Sequence, residues 1–204
     1  MSLEEFRSEI RDRKRFQFGR NWKHFLTNLN EERIKEAECS LKSMLEVKSL
    51  TGKTFLDVGS GSGLFSLAAK NLGADVVSFD YDEASVWCTS ELKNRYYKRD
   101  GTWKVMQGSI LDIKFLETLG KFDYVYSWGV LHHTGEMWRA LDNVVRLVQP
   151  NGSLFIALYN HQQFMSKYWT FVKRTYNKFP ISRPLWIFLH FLYPTLPSIT
   201  LKYL

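Results

Sequence analysis

Residues 54–70, TFLDVGSGSGLFSLAAK, constrain this chain more than any other stretch. An apolar run ends in Asp57, and Gly59, Gly61 and Gly63 follow at alternate positions, with Ser60 between the first two. An apolar helical pattern then begins near Leu64. Glycine suits a strand that must turn sharply into a helix, because it tolerates positive φ and keeps a Cβ out of a ligand's way. The helix N-terminus that follows presents unpaired N–H groups. The spacing is GxGxG. A dinucleotide fingerprint places its third glycine one position later, where Leu64 stands, which argues against an NAD-dependent oxidoreductase.

The surrounding pattern extends this unit. Strands are expected at 54–58, 75–80, 103–107, 122–127 and 153–159, and helices begin near Leu64, Glu83 and Glu136. An irregular piece is expected at 111–119. Strand–helix alternation predicts an α/β fold, with a mostly parallel sheet covered on both faces. Asn30 is placed to cap a helix over 31–47 and Asp82 to cap the helix after the second strand, while Pro150-Asn151-Gly152 reads as a tight turn. Three regions result: a helical N-terminal cap at 1–50, a core at 51–160 and a helical tail at 161–204.

Composition narrows the classes. No run of 18 apolar residues exists and the first 16 residues lack a secretory pattern. Two distant cysteines, Cys39 and Cys88, exclude a disulfide framework or a cysteine zinc site, so a cytoplasmic setting is expected. The net charge of +7 is concentrated in the tail, where Lys167, Lys173, Arg174, Lys178, Arg183 and Lys202 meet no acid. That excess suits phosphates or an anionic membrane surface; a solvated helix face is the plainer reading.

DVVSFDYDEAS supplies a second motif, a strand ending in Asp80. A carboxylate there can accept both hydroxyls of a ribose, and Tyr81 can pack on an adenine face. The plainer alternative makes Asp80 and Asp82 turn and cap residues.

These pieces, with QGSILD, FDYVYSWGVLHHTG and VQPNGSLFIALYN, resemble the class I S-adenosylmethionine-dependent methyltransferases over about residues 52–160. The small-molecule branch containing the ubiquinone-biosynthesis O-methyltransferases is the most similar. The resemblance implies a Rossmann-like sheet, S-adenosyl-L-methionine as cofactor, and in-line transfer of its methyl group to a small-molecule acceptor, with oxygen expected. It puts Asp57 near the methionine amino group, Gly59, Ser60, Gly61 and Gly63 in the binding loop, and Asp80 on the ribose. Ser109 and Ile110 take the adenine edge, although many relatives have Asp where Ser109 stands. Ser127 opens SWGVLHHT, the strand end facing the transferred methyl group. Many relatives read VLEH there, so His132 replaces a glutamate and His133 matches the histidine. Either imidazole can take a proton from a hydroxyl near neutral pH, with His133 slightly ahead; the bland account has one packing the next helix and the other facing solvent. No metal site is expected.

The rings of Phe16, Phe18, Trp22 and Phe25 could wall an acceptor cavity, with Phe18 and Trp22 as the substrate-facing pair, or merely dock the first helix. The family's sheet closes with an antiparallel hairpin, which the last 44 residues do not supply. Truncation is the favoured expectation. An uncovered sheet edge then invites a homodimer, and the basic aromatic tail offers peripheral membrane contact. Two rival functions stay open. One is an RNA methyltransferase, disfavoured by the absence of an Asn/Asp-Pro-Pro-Tyr/Phe signature and by a near-neutral core. The other is a non-catalytic cofactor-binding assembly subunit.

Overall fold

The computed structural model describes Trp22, residues 25–159 and residues 163–192. Five strands, β1 (Thr54–Val58), β2 (Asp75–Asp80), β3 (Trp103–Gln107), β4 (Phe122–Trp128) and β5 (Val148–Ala157), form one sheet in the order β3-β2-β1-β4-β5. Every pairing is parallel. The helices are α1 (Glu31–Leu45), α2 (Leu64–Asn71), α3 (Glu83–Tyr96), α4 (Ile113–Glu117) and α5 (Met137–Val145), followed by α6 (Gln163–Lys178) and α7 (Arg183–Leu192). Contacts divide the chain into two units that meet at the 159/160 boundary. The second unit holds α6 and α7; α1 and the sheet lie in the first.

The sheet has two apolar faces because its strands are near-continuous apolar runs, as a parallel sheet requires. On one face Phe55, Val76, Trp103 and Tyr126 pack with Leu41 of α1, Leu67 of α2 and Leu92 of α3. On the other, Leu56, Phe79 and Val125 pack with Leu116 of α4 and Val144 of α5. Side-chain caps start α1 and α3. Asn30 accepts a 3.0 Å bond from the Arg33 N–H, and Asp82 one of 2.9 Å from Ala84. The segment expected to be irregular contains α4, capped by Asp112 through the Phe115 N–H at 3.2 Å.

The last strand begins earlier than the sequence pattern suggests. Val148 pairs with Phe122, the ladder bulges, and Ser153 pairs with Tyr124. Asn151 absorbs the extra length at φ 69°, so the Pro150-Asn151-Gly152 turn is a bulge inside β5 rather than its entrance. No antiparallel strand occurs among the described residues.

Strand order reverses between β1 and β4, whose immediate neighbours lead in opposite directions across the sheet. In an open α/β sheet the crevice beyond the strand tips at such a point is where a ligand fits. The loop after β1 carries the glycines, and the loop after β4 carries the two histidines.

Candidate functional site at the β1–β4 switch point

Gly59, Gly61 and Gly63 all adopt positive φ, at 78°, 56° and 81°. A Cβ on Gly59 would lie 2.5 Å from Val130, on Gly61 3.0 Å from the Trp22 indole, and on Gly63 2.8 Å from the Thr89 backbone. The loop is thus gripped from three sides, and Val130 ties it to the segment carrying the histidines. Hydrogen bonds fix it further. The N–H groups of Gly59 and Ser60 both donate to the Phe79 carbonyl, and the Ser60 and Thr89 hydroxyls pair at 2.9 Å.

Asp80 completes this cradle. Its Oδ2 accepts the Gly61 N–H and its Oδ1 the Asp82 N–H, each at 2.9 Å. Burial pushes its carboxyl up to about 6, although these two bonds oppose the shift. Each carboxylate oxygen retains acceptor capacity, so holding the loop and receiving ligand hydroxyls are compatible. Asp80 therefore holds the loop while keeping acceptor capacity, and Asp82 is the helix cap.

Asp57, the penultimate residue of β1, is almost wholly buried. The Ser66 hydroxyl donates to its Oδ2 at 2.5 Å, and Ser78 pairs with Ser66 at 2.7 Å. The Trp103 indole N–H donates to Ser78 at 3.0 Å. An indole N–H is a donor only, so it sets the direction of the whole chain: Trp103 to Ser78, Ser78 to Ser66, Ser66 to the carboxylate. Burial nonetheless pushes Asp57 up to about 7, with Ser66 opposing and Asp80 adding repulsion. A cation placed beside it would restore the ionised form. This is the chemistry an ammonium group needs, and the fit to the amino-acid end of an adenosyl amino acid is good.

Three buried side-chain atoms among the described residues find no hydrogen-bond partner: the Tyr126 hydroxyl and both ring nitrogens of His132. Both residues lie on β4 or in the turn after it. Tyr126 is the register partner of Asp57 and stacks among Phe55, Phe65, Trp128 and Phe155. Burial, reinforced by the Asp57 charge, raises its phenol, so it stays a neutral donor. His132 packs against the rings of His133 and Tyr159, with centroids 4.0 and 4.3 Å away, and burial holds its pKa below the usual range. His133 is exposed. Of the two adjacent imidazoles, His132 is the desolvated one with unpartnered nitrogens and His133 the exposed one.

Other candidates take plainer places. Ser127 is buried and donates to the Val58 carbonyl at 3.1 Å, which ties β4 to β1. The Ser109 hydroxyl accepts the Leu111 N–H at 3.1 Å. Ile110 packs in the core with Phe79, and its carbonyl accepts from Asn143, so only its backbone N–H is left to a ligand. The Tyr81 carbonyl accepts from Gln107 across the β2–β3 tips. Trp22 covers Gly61, which places it over the glycine loop. Phe18 lies outside the described residues. The sequence reading missed Tyr126, Ser66, Ser78 and Trp103. Tyr126 had a signal, since FDYVYSW alternates Tyr124, Tyr126 and Trp128 onto one face.

Comparison with known proteins points to a family. Residues 56–156 match the family described as "Methyltransferase domain". The chain is 31% identical over 116 residues to the ubiquinone biosynthesis O-methyltransferase of Pseudomonas paraeruginosa, an alignment covering 56% of this chain and 48% of the relative. It is 29% identical over 137 residues to the enzyme of the same name from Coxiella burnetii, covering 67% and 56%. The chain thus spans about half the length of these relatives. The crystal structure of magnesium protoporphyrin IX methyltransferase from Synechocystis PCC 6803, with bound S-adenosylhomocysteine, shares the fold at a TM-score of 0.54 and 19% identity, over 72% of this chain and 63% of that one.

Proposed function

Residues 56–156 belong to the class I S-adenosylmethionine-dependent methyltransferases, and from that premise we propose that the protein binds S-adenosylmethionine at the β1–β4 switch point and methylates an oxygen of a small molecule. The single observation that carries the acceptor side is the half-buried His132, neutral and with two unpartnered ring nitrogens, one turn beyond the tip of β4.

Each residue has a role derived from its surroundings. Asp57, directed by Ser66, receives the ammonium of the amino-acid portion. Asp80 accepts the ribose hydroxyls with the lone pairs that Gly61 and Asp82 leave. The loop glycines let the ligand approach the backbone, and the N–H of Ile110 offers a donor to the adenine edge. The Tyr126 hydroxyl, a buried donor beside Asp57, is available to a polar ligand group.

S-adenosylmethionine supplies, when bound, a methyl group on a sulfonium that is already a strong electrophile. The protein's task is then to align the acceptor and take its proton. Alignment is worth ~7–11 kcal/mol in well-oriented cases. His132 holds its free nitrogen ready for a hydroxyl proton, a contribution of roughly 10²–10⁴-fold. Trp128, half exposed at the tip of β4 and stacked on Phe155 with 6° between the rings, offers a flat wall to the acceptor.

Calorimetric titration with S-adenosylmethionine, S-adenosylhomocysteine and NAD tests the cofactor. Micromolar binding of the first two without the third is expected; silence for all three would overturn the reading. On an active acceptor, His132→Gln is expected to lower kcat by 10²–10⁴-fold while S-adenosylhomocysteine binding stays within about threefold (~0.7 kcal/mol). His133→Gln should leave turnover nearly intact, and the opposite pattern would return the base to His133.

A further inference from the structure

The described residues of the site all lie in the first unit, and the second unit is chemically distinctive. Helix α6 reads QFMSKYWTFVKRTYNK. At ~100° per residue its apolar side chains, among them Phe164, Tyr168, Trp169, Phe171 and Val172, fall on one arc. Its four cations, Lys167, Lys173, Arg174 and Lys178, fall on the other. Lys173 borders the apolar arc on one side, and Lys167 and Lys178 border it on the other. Helix α7, RPLWIFLHFL, is apolar nearly all round. Such a helix belongs inside something, yet Leu185, Ile187 and Phe188 are more than half exposed, and Ile181 in the connecting turn is 93% exposed. The Phe171 and Trp186 rings meet edge to face, with centroids 6.0 Å apart, joining the two helices.

We propose that α6 and α7 form a membrane-surface module that lies on an anionic lipid leaflet, with α7 and the 180–182 turn in the acyl boundary and the α6 cations at the headgroups. Charge decides among the possible occupants. Residues 161–204 hold six Lys or Arg and no Asp or Glu, so a second copy docked through this unit would bring like charges together with no acid to pair them. An anionic leaflet meets both demands, burying the apolar arc and neutralising its borders, where long cationic side chains snorkel. The ten described residues of α7 reach about 15 Å, half the ~30 Å of a hydrocarbon core, a length that suits a helix lying along the interface. No described helix is long and apolar enough to cross a membrane.

Flotation of the whole chain with vesicles tests this. Association with mixed phosphatidylglycerol–phosphatidylcholine vesicles is expected, at least tenfold weaker with phosphatidylcholine alone. The triple variant K173Q/R174Q/K178Q changes only exposed cations and should retain its far-ultraviolet dichroism. It is expected to lose on the order of 10²-fold in partitioning, since each surface cation contributes roughly tenfold or less. Ile181→Ser should cost about tenfold in partitioning to the anionic vesicles. Equal association with neutral vesicles would overturn the proposal. So would wild-type retention by the triple variant, or preference for an RNA homopolymer over vesicles. A dimer in sedimentation velocity without vesicle binding would assign the face to a second copy instead.

Discussion

Asp57 shows how one buried side chain couples stability, pH and ligand. Its folded-state value of about 7 stands above the ordinary carboxyl value of 3.8, and burial is the main cause. Between those two pH values the folded protein holds a proton that the unfolded chain has released, so stability falls as pH rises through that window and is level beyond it. Asp80, raised to about 6, acts in the same direction. Thermal melts of the ligand-free protein should therefore give a higher Tm at pH 5 than at pH 8. Asp57→Asn should raise the Tm at pH 8 by several degrees, at ~2–4 °C per kcal/mol for a chain of this size, and by clearly less at pH 5, where only part of the window has been crossed. The same variant should bind S-adenosylhomocysteine at least tenfold less tightly, about 1.4 kcal/mol. Ser66→Ala removes a donor to the charged form, so the pH midpoint of binding should move upward, with Trp103→Phe moving it less in the same direction. A midpoint that stays put in Ser66→Ala would show that the serine chain packs without directing Asp57.

Among the elements, the turn from β1 into α2 is the most tightly specified. Gly63 caps α2 at φ 81°, and a Cβ there would press on the Thr89 backbone, which cannot rotate away. Gly61 at φ 56° would meet the Trp22 side chain, which can shift. Both replacements carry left-handed strain of ~1–3 kcal/mol, and the first adds overpacking of similar size. Urea denaturation should accordingly find Gly63→Ala destabilised by about 2–4 kcal/mol and Gly61→Ala by about 1–2 kcal/mol. Equal losses would mean that backbone strain alone sets the cost. The sequence made this turn legible because glycine is nearly obligatory where φ is positive in three places so close together. It made β5 less so, since Pro150-Asn151-Gly152 looks like a boundary until the ladder is seen to continue through it.

The whole molecule separates into a unit that carries every described residue of the site and a second unit of two helices. The site draws on β1, β2, β4 and the loops between residues 57 and 133, and on Trp22 and Tyr159. A chain ending at Tyr159 should therefore bind S-adenosylhomocysteine within about threefold of the full chain (~0.7 kcal/mol) by calorimetry. A loss beyond tenfold would mean that the second unit completes the binding site.

Sequence alone determined the strand–helix alternation, the glycine turn, the Asn30 and Asp82 caps and the position of Asp57 and Asp80 near the ends of their strands, because each depends on interactions within a few residues. What lies across the sheet was decided by tertiary structure. Trp103, Ser78, Ser66 and Asp57 come from β3, β2, α2 and β1, and nothing in their spacing announces a hydrogen-bonded chain. The difference in burial between His132 and His133 is equally tertiary. Two adjacent imidazoles are chemically identical in a sequence, and only the packing of Tyr159 and the turn after β4 buries the nitrogens of His132 while leaving His133 at the surface. Burial is a property of the packed chain, and with it go the desolvation and the proton affinity on which the proposed chemistry depends.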